Sequence, residues 1–186
     1  SEAGQVQSYT RVRLAPTDTA GLTGDVYWVG QDAYTSVEQA VQAIYEDRSN
    51  AAFTASAIVA VNMACYTNAI EVSANLGDLH PTPQNPLILR SGTGLVARLS
   101  GGLTVAGLSN VWVECLRFPA TNAAGETNRL VLTNTPGAVL ASCIVEAGAL
   151  VSGCAGVRVV GNTFDYTNGT AGLVLTNCFG AVMRNN

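Results

Sequence analysis

Two carboxylates in the last third of the chain have a spacing that suits chemistry. Glu146 and Asp165 are nineteen residues apart, and each directly follows an apolar residue that alternation directs into a core. If the chain coils with that period, we expect the carboxylates to lie about 5–7 Å apart, which is close to the separation used in glycoside hydrolysis. Such a pair also suits a cation. The alternative is that both residues begin a solvated loop and have no catalytic role.

A second set of side chains has the chemistry of a sugar-binding surface. Trp112 lies between two valines, so it points outward if they point inward, and Glu114 then shares its face. Arg158 occupies the same column of an internal repeat as Trp112, two coils farther on. An exposed indole ring stacks on sugars, and the arginine and carboxylate add polar contacts. The alternative is an aromatic ring packed under a loop or against a partner chain.

The elements that must position these residues follow from that repeat. The segment "LVLTNTPGAVL" from Leu130 recurs as "LVLTNCFGAVM" from Leu173, with eight of eleven positions identical. Weaker copies begin at Leu103 and Ala149. Each copy alternates apolar and polar residues for three to five positions and then reaches a Gly or Asn, which tolerates a sharp bend. The unit is therefore strand, bend, strand, bend, strand, loop, and no helix fits between the strands.

Short repeats of this kind predict a parallel β-solenoid, in which equivalent strands stack about 4.8 Å apart. Like residues then form ladders along the axis. Cys154 and Cys178 share a column on adjacent coils, which predicts stacked thiols rather than a disulfide. Asn162 and Asn186 predict an asparagine ladder at a bend, where side-chain amides bind backbone groups.

One outward column of the repeat is apolar where a solvated sheet would be polar. Its large members predict a contact surface, and they are Val131, Leu150 and Val174. Either the N-terminal 30 residues or another subunit covers this column, and we favour a partner chain. We therefore expect a homo-oligomer.

Composition excludes several other classes of function. The net charge of −4 and the lack of a basic patch exclude non-specific nucleic-acid binding. No apolar run approaches the roughly 18 residues needed to span a membrane. The five cysteines contain no CxxC pair and the only histidine is His80, so we predict free, buried cysteines, no metal site and no cofactor.

The strand cadence resembles that of a known family. "NVWVECLRF", "GVRVVGNTFDY" and "GLVLTNCFGAVMRNN" resemble the coils of the pectin-lyase-like right-handed single-stranded parallel β-helices. That resemblance implies an all-β solenoid with a short N-terminal capping α-helix at about 35–46. The apolar spacing of "YTSVEQAVQAI" fits such an amphipathic helix, with Ser36 as its N-cap. Early strands are expected at 57–61, 69–74 and 86–90.

The predicted organisation has an arm and a solenoid. Residues 1–30 are expected to form an N-terminal attachment arm, and residues 31–186 the β-helix. The segment "AVMRNN" stops in mid-coil, so we expect the native chain to continue past Asn186 or a partner to cover this end.

The resemblance also bears on function. The family includes polysaccharide lyases, polygalacturonases and viral tailspikes, but their catalytic signatures are missing: "NTFD" at 162–165 interposes a phenylalanine, and His80 lacks flanking glycines. The leading hypothesis is a structural, receptor-binding segment of a phage tailspike, tail fibre or similar protein of a virion or cell surface. It would contact a polysaccharide or other surface proteins, partly through the loop at 119–128, and the resemblance favours a trimer. The alternatives are a polysaccharide lyase or glycoside hydrolase using Glu146 and Asp165, and a bacterial surface adhesin.

Overall fold

The described part of the chain is mostly β, with three sheets and one α-helix. The computed structural model describes residues 11–13, 23–30, 34–48, 51–76, 78–92, 96–120, 130–165 and 172–186. In chain order the elements are β1 (Arg11–Arg13), β2 (Thr23–Val29), α1 (Val37–Arg48), β3 (Ser56–Val61), β4 (Cys65–Tyr66), β5 (Ile70–Ser73), β6 (Leu87–Ser91), β7 (Arg98–Leu99), β8 (Leu103–Ala106), β9 (Val111–Glu114), β10 (Arg117–Phe118), β11 (Leu130–Thr133), β12 (Val139–Ala141), β13 (Ile144–Val145), β14 (Ala149–Ser152), β15 (Arg158–Val160), β16 (Thr163–Phe164), β17 (Leu173–Thr176) and β18 (Val182–Arg184). A single 3-10 turn at Ala74–Leu76 follows β5.

From β3 onward, every three consecutive strands contribute one strand to each sheet. The first sheet has the order β1-β2-β3-β6-β9-β12-β15-β18, the second β16-β13-β10-β7-β4 and the third β17-β14-β11-β8-β5. All strand pairs are parallel except β1 with β2. Each set of three strands forms one coil, so the topology is consistent with an all-β parallel solenoid.

The register predicted from the repeat is confirmed. The four copies start at residues that pair directly across the third sheet, namely Leu103, Leu130, Ala149 and Leu173. The early strands predicted at 57–61, 69–74 and 86–90 are β3, β5 and β6, each within two residues of the expected bounds. The repeat fixes the register because a shift by one residue would turn every apolar side chain of a strand away from the core.

The core fills the space enclosed by the three sheets. Alternate residues of each strand point into it, as in β11, where Leu130 and Leu132 are fully buried and Val131 between them is half-buried. The central inward ladder of the first sheet is buried from β3 to β15, and its buried members are Val59, Leu89, Val113, Leu140 and Val159. Its next member, Met183 on β18, is exposed at the last described coil. Each buried side chain contributes about 1.5–3 kcal/mol relative to exposure.

Residues with positive φ make the corners of the coils. The columns are Gly107, Asn134, Gly153 and Asn177 after the third sheet; Asn110, Gly137, Gly156 and Gly180 before the first; and Cys115, Ser142, Gly161 and Asn185 after the first. Gly and Asn were predicted at bends, whereas Ser142 was not. Corner N–H groups donate to carbonyls of the next coil at 2.8–3.0 Å, as Asn134 does to Ser152, so the backbone ladder continues around the corners.

Helix α1 covers the core at the first coil. It begins at Val37 and ends at Arg48, about two residues later than predicted. The predicted N-cap is confirmed, because Ser36 Oγ accepts a hydrogen bond from the Gln39 N–H at 3.2 Å. Two buried tyrosines join the helix to the coil: Tyr45 donates to the Ser73 carbonyl at 2.6 Å, and the Tyr66 hydroxyl accepts from the Val37 N–H at 3.2 Å.

The first sheet begins inside the segment that the sequence analysis assigned to the arm. Strand β2 pairs in parallel with β3 over six residues, and β1 pairs with the outer edge of β2. The rest of the expected arm, residues 1–10 and 14–22, lies outside the described residues.

Candidate functional site

The outer face of the second sheet carries four charged residues. Arg98 on β7 and Arg117 on β10 lie directly beside each other in register. Glu146 and Asp165 directly follow β13 and β16, the next two strands of the sheet. We call these four residues the charged face. Its order along the axis is two cations followed by two anions.

The two candidate catalytic carboxylates lie on adjacent coils, as predicted. Val145 pairs with Phe164, and the Asp165 N–H donates to the Val145 carbonyl at 3.0 Å, so Glu146 and Asp165 follow level positions. Asp165 is exposed, whereas the side chain of Glu146 is 19% exposed. Their catalytic role stays a prediction.

Glu146 has a partner that the sequence analysis did not find. Arg117 donates from Nε and Nη2 to Glu146 Oε1, at 3.1 and 2.5 Å. The Arg117 side chain reaches to the end of the adjacent strand β13, where Glu146 lies two residues beyond Ile144, the residue that pairs with Arg117. This ion pair holds the Glu146 carboxylate toward Arg117, and Asp165 lies on its other side. The arrangement is therefore a charge row rather than a matched pair of carboxylates.

The predicted sugar-binding residues are divided between two environments. Val139 pairs with both Trp112 and Arg158, which confirms that they share an outward column two strands apart. Trp112 is half-buried and packs against a small apolar cluster on the outer face of the first sheet, formed by Val26, Ile58, Ala60 and Ile88. Arg158 is exposed. The indole ring and the guanidinium group are thus separated by the buried side chain of Val139.

Glu114, the third member of that set, is buried. Its side chain is 2% exposed, and its Oε2 lies 3.9 Å from Arg90 Nη1 on the adjacent strand β6. A buried carboxylate needs a nearby cation to offset its lost hydration. Glu114 is therefore buried beside Arg90 rather than exposed next to Trp112. Its role in sugar contact stays a prediction.

The apolar column of the third sheet points outward, as predicted. Thr104, Val131, Leu150 and Val174 are in register on four adjacent strands. Val131 and Leu150 are half-buried, and Val174 is 41% exposed. The column is an apolar stripe partly open to solvent, and its role as an interface stays a prediction.

The five cysteines are free thiols, and two of them stack as predicted. Cys154 and Cys178 donate in the same way, each to the carbonyl two residues before it and to one on the preceding coil, at 3.3–3.5 Å. Burial raises the pKa of Cys154 and raises that of Cys143 to about 12, so these thiols stay protonated. The prediction of buried cysteines is right for Cys143 and Cys154, whereas Cys115 and Cys178 are only half-buried. It is wrong for Cys65, which is exposed because it points outward from β4.

Two pockets lie at the ends of the described solenoid. One, of about 370 Å³, lies beside the end of α1 and holds Arg48, which pairs with Asp25, donates to the Ala55 carbonyl at 2.6 Å and lies over the Phe53 ring. The other, of about 460 Å³, is lined by Phe164, Leu173, Leu175, Met183 and Asn186. In the first pocket, Arg48 already binds other residues of the chain. The second pocket is the end of the hydrophobic core at the last described coil.

Metal-ligating side chains do not cluster in the part of the chain that the structure describes. Within those ranges, no three His, Cys, Asp or Glu side chains come together as metal ligands would. The one described α-helix that exceeds a single turn, α1, has twelve residues and is too short to cross a bilayer. Residues 121–129, most of the loop expected to contribute to binding, lie outside the described residues.

Sequence reasoning missed both arginines that pair with the candidate acids. Arg90 and Arg117 each belong to a strand that alternates correctly, so their outward direction was available from the pattern. The sequence did not show which acids they bind. Arg117 is 29 residues from Glu146, and the length of the loop between them decides whether the two side chains meet. Comparisons with protein-family models, with curated proteins and with solved structures found no match to this chain.

Proposed function

We propose that the chain is a right-handed parallel β-helix that serves as a structural, receptor-binding segment of a phage tailspike, tail fibre or similar surface protein. It would lie on a virion or cell surface and present a rigid rod for contact with a polysaccharide or a neighbouring protein. The observation that carries this proposal is the continuous hydrogen bonding of successive coils. Strands pair in register in all three sheets, and corner residues donate to the next coil as well.

Continuous pairing of this kind favours a display role because it leaves few places where the rod can bend. The outward columns then repeat at the strand spacing of about 4.8 Å, which gives a regular array of side chains to a repeating ligand. On the first sheet that array includes Trp112 and Arg158. On the third sheet it includes the apolar stripe, which suits a contact with another subunit.

A catalytic carboxylate pair is not part of this proposed function. Arg117 binds Glu146 within the chain, and two hydrogen bonds to one oxygen fix the direction of that carboxylate. Chemistry that needed the acid to approach a glycosidic bond would first have to break this ion pair.

The test is binding of the purified chain to a panel of bacterial surface polysaccharides, measured by biolayer interferometry. We expect at least one polysaccharide to bind and to remain uncleaved, with no new reducing ends. Arg158→Gln is expected to weaken that binding, whereas Arg98→Gln, an exposed arginine on the second sheet, serves as the matched control. Failure to bind any polysaccharide of the panel would overturn the proposed contact with a polysaccharide, and cleavage abolished by Glu146→Gln would favour a hydrolase or lyase.

A further inference from the structure

The charges on the charged face are ordered so that a second copy of the row, placed in the reverse direction, has the opposite charge at each position. Passing from β7 to β16, the residues are Arg98, Arg117, Glu146 and Asp165, so the charges run plus, plus, minus, minus. Adjacent strands are about 4.8 Å apart, which puts the outermost charges about 14 Å apart along the axis. Like charges side by side on neighbouring strands repel. An anion that approaches this face therefore lowers the electrostatic repulsion between Arg98 and Arg117.

The outer members of the row are the ones available to a partner. Arg98 and Asp165 are both exposed. Among the residues that the structure describes, neither has an oppositely charged group within ion-pair distance, whereas Arg117 and Glu146 already bind each other. The face thus has one open cation at one end and one open anion at the other.

The contact of Arg117 with Glu146 also shows how far an arginine reaches on this surface. Its guanidinium group crosses a two-residue offset along the strand direction to meet the carboxylate. Arg98 and Asp165 have the same offset, because Arg98 stands level with Arg117 and Asp165 stands level with Glu146. An arginine can therefore meet an acid across that offset when their strands face each other.

We propose that two copies of the chain associate side by side through the charged face, with their long axes antiparallel. A two-fold axis that runs along the strands, between β10 and β13, reverses the order of the strands in the second copy. Strand β7 then faces β16, and Arg98 meets Asp165 of the second copy. By symmetry the same pair forms twice, as in any isologous contact.

Other arrangements do not match these charges. Two copies that point in the same direction bring level strands together, so Arg98 would face the arginine of the same strand. The antiparallel arrangement is also separate from the apolar stripe, which lies on the third sheet. This inference goes beyond the proposed display role, and either one can hold without the other.

Association of this kind is weak and sensitive to salt, because exposed ion pairs are screened by mobile ions. Sedimentation velocity of the full chain at about 10 mM and about 1 M salt tests it, since the Debye length falls from about 30 to about 3 Å over that range. We expect concentration-dependent dimers at low salt and their loss at high salt. A monomer at low salt and high protein concentration overturns the proposal.

Charge exchange identifies the residues. Arg98→Asp and Asp165→Arg are each expected to weaken the dimer by about tenfold or more, because each places like charges opposite each other twice. An equimolar mixture of the two variants is expected to recover the dimer, because both contacts then join opposite charges. Asp78→Arg, an exposed acid outside the three sheets, is the matched control and should leave the dimer unchanged.

The mixture decides between this pairing and a general charge effect. If the two variants do not recover association when mixed, or if Asp78→Arg weakens it equally, the antiparallel pairing is wrong. Both substituted sites are exposed, so we expect the fold to be retained, which circular dichroism checks. The neutral variants Arg98→Gln and Asp165→Asn provide the same comparison, with smaller losses, if a reversal of charge disturbs folding.

Discussion

Asn186 Oδ1 accepts two hydrogen bonds from Asn162 on the preceding coil, one from the backbone N–H at 3.0 Å and one from Nδ2 at 2.9 Å. Asn162 repeats the pattern one coil lower. Its Oδ1 accepts from the Cys143 N–H and its Nδ2 donates to the Leu140 carbonyl, both at 2.9 Å. The predicted asparagine ladder is confirmed, and it joins three coils at one corner. Asn162 is buried, so water cannot replace these bonds without opening the corner.

We expect Asn162→Ala to lower the free energy of unfolding by about 2–4 kcal/mol, because it leaves buried backbone groups without partners. Urea unfolding followed by circular dichroism measures this loss. Thr163→Ala, an exposed substitution at the next residue, should cost less than about 0.5 kcal/mol. Equal losses for the two variants would contradict a stabilising role for the ladder.

Two glycines of one corner column separate backbone strain from a steric clash. Gly137 and Gly156 have φ of 71° and 68°, so alanine at either site costs about 1–2 kcal/mol. A Cβ at Gly137 would also lie 2.5 Å from Asn110 Oδ1, whereas a Cβ at Gly156 meets nothing within 4 Å. The Asn110 side chain donates to the Pro81 carbonyl at 2.9 Å and would have to give up that position.

We therefore expect Gly137→Ala to destabilise the chain by about 1–2 kcal/mol more than Gly156→Ala, which carries only the φ cost. Thermal and urea unfolding of the two variants in parallel provide the comparison. An equal loss would mean that Asn110 moves aside without cost.

Stability should fall in alkali because of buried thiols and phenols. Burial raises the pKa of Cys143 from 9.0 to about 12 and that of Tyr45 from 10.0 to about 12. Both groups therefore ionise earlier in the unfolded chain than in the folded chain. Their contribution to stability is fully present below pH 9 and is lost as the pH rises from 9 toward 12.

Urea midpoints measured between pH 8 and about pH 10.5 under reducing conditions test this dependence. We expect the wild-type midpoint to fall over that range and Cys143→Ala to show a shallower fall. Cys65→Ala, which removes an exposed thiol, is the control and should keep the wild-type slope. An unchanged slope in Cys143→Ala would sink the assignment to that thiol.

The apolar stripe of the third sheet makes a separate prediction about association. If Val131, Leu150 and Val174 contact another subunit, Leu150→Asp should abolish a salt-resistant oligomer and leave the stability of the monomer nearly unchanged. Ser152→Asp, in the neighbouring outward column of β14, provides a matched added charge. Light scattering at high salt separates this contact from the charged face. A salt-resistant oligomer that persists in Leu150→Asp would exclude the stripe as its interface.

The sequence predicted the parts of the fold that the repeat itself constrains. Alternation and spacing predicted the bends at Gly and Asn and the ladder of Asn162 with Asn186. They also predicted the four aligned copies, which start at Leu103, Leu130, Ala149 and Leu173. The capping helix was predicted about two residues early at both ends, although its N-cap, Ser36, was predicted correctly. Ser142 at positive φ was missed, because serine does not signal such a bend.

The sequence alone determined which side chains enter the core, because alternation and burial of apolar surface leave one register in which all coils agree. Only the tertiary structure decided which outward side chains meet. Glu146 binds Arg117, and Glu114 lies buried near Arg90, although their partners are 29 and 24 residues away. Those contacts depend on loop lengths between coils and on long, flexible side chains, neither of which follows a period. Candidate chemistry on this solenoid is therefore set by neighbours along the axis rather than along the chain.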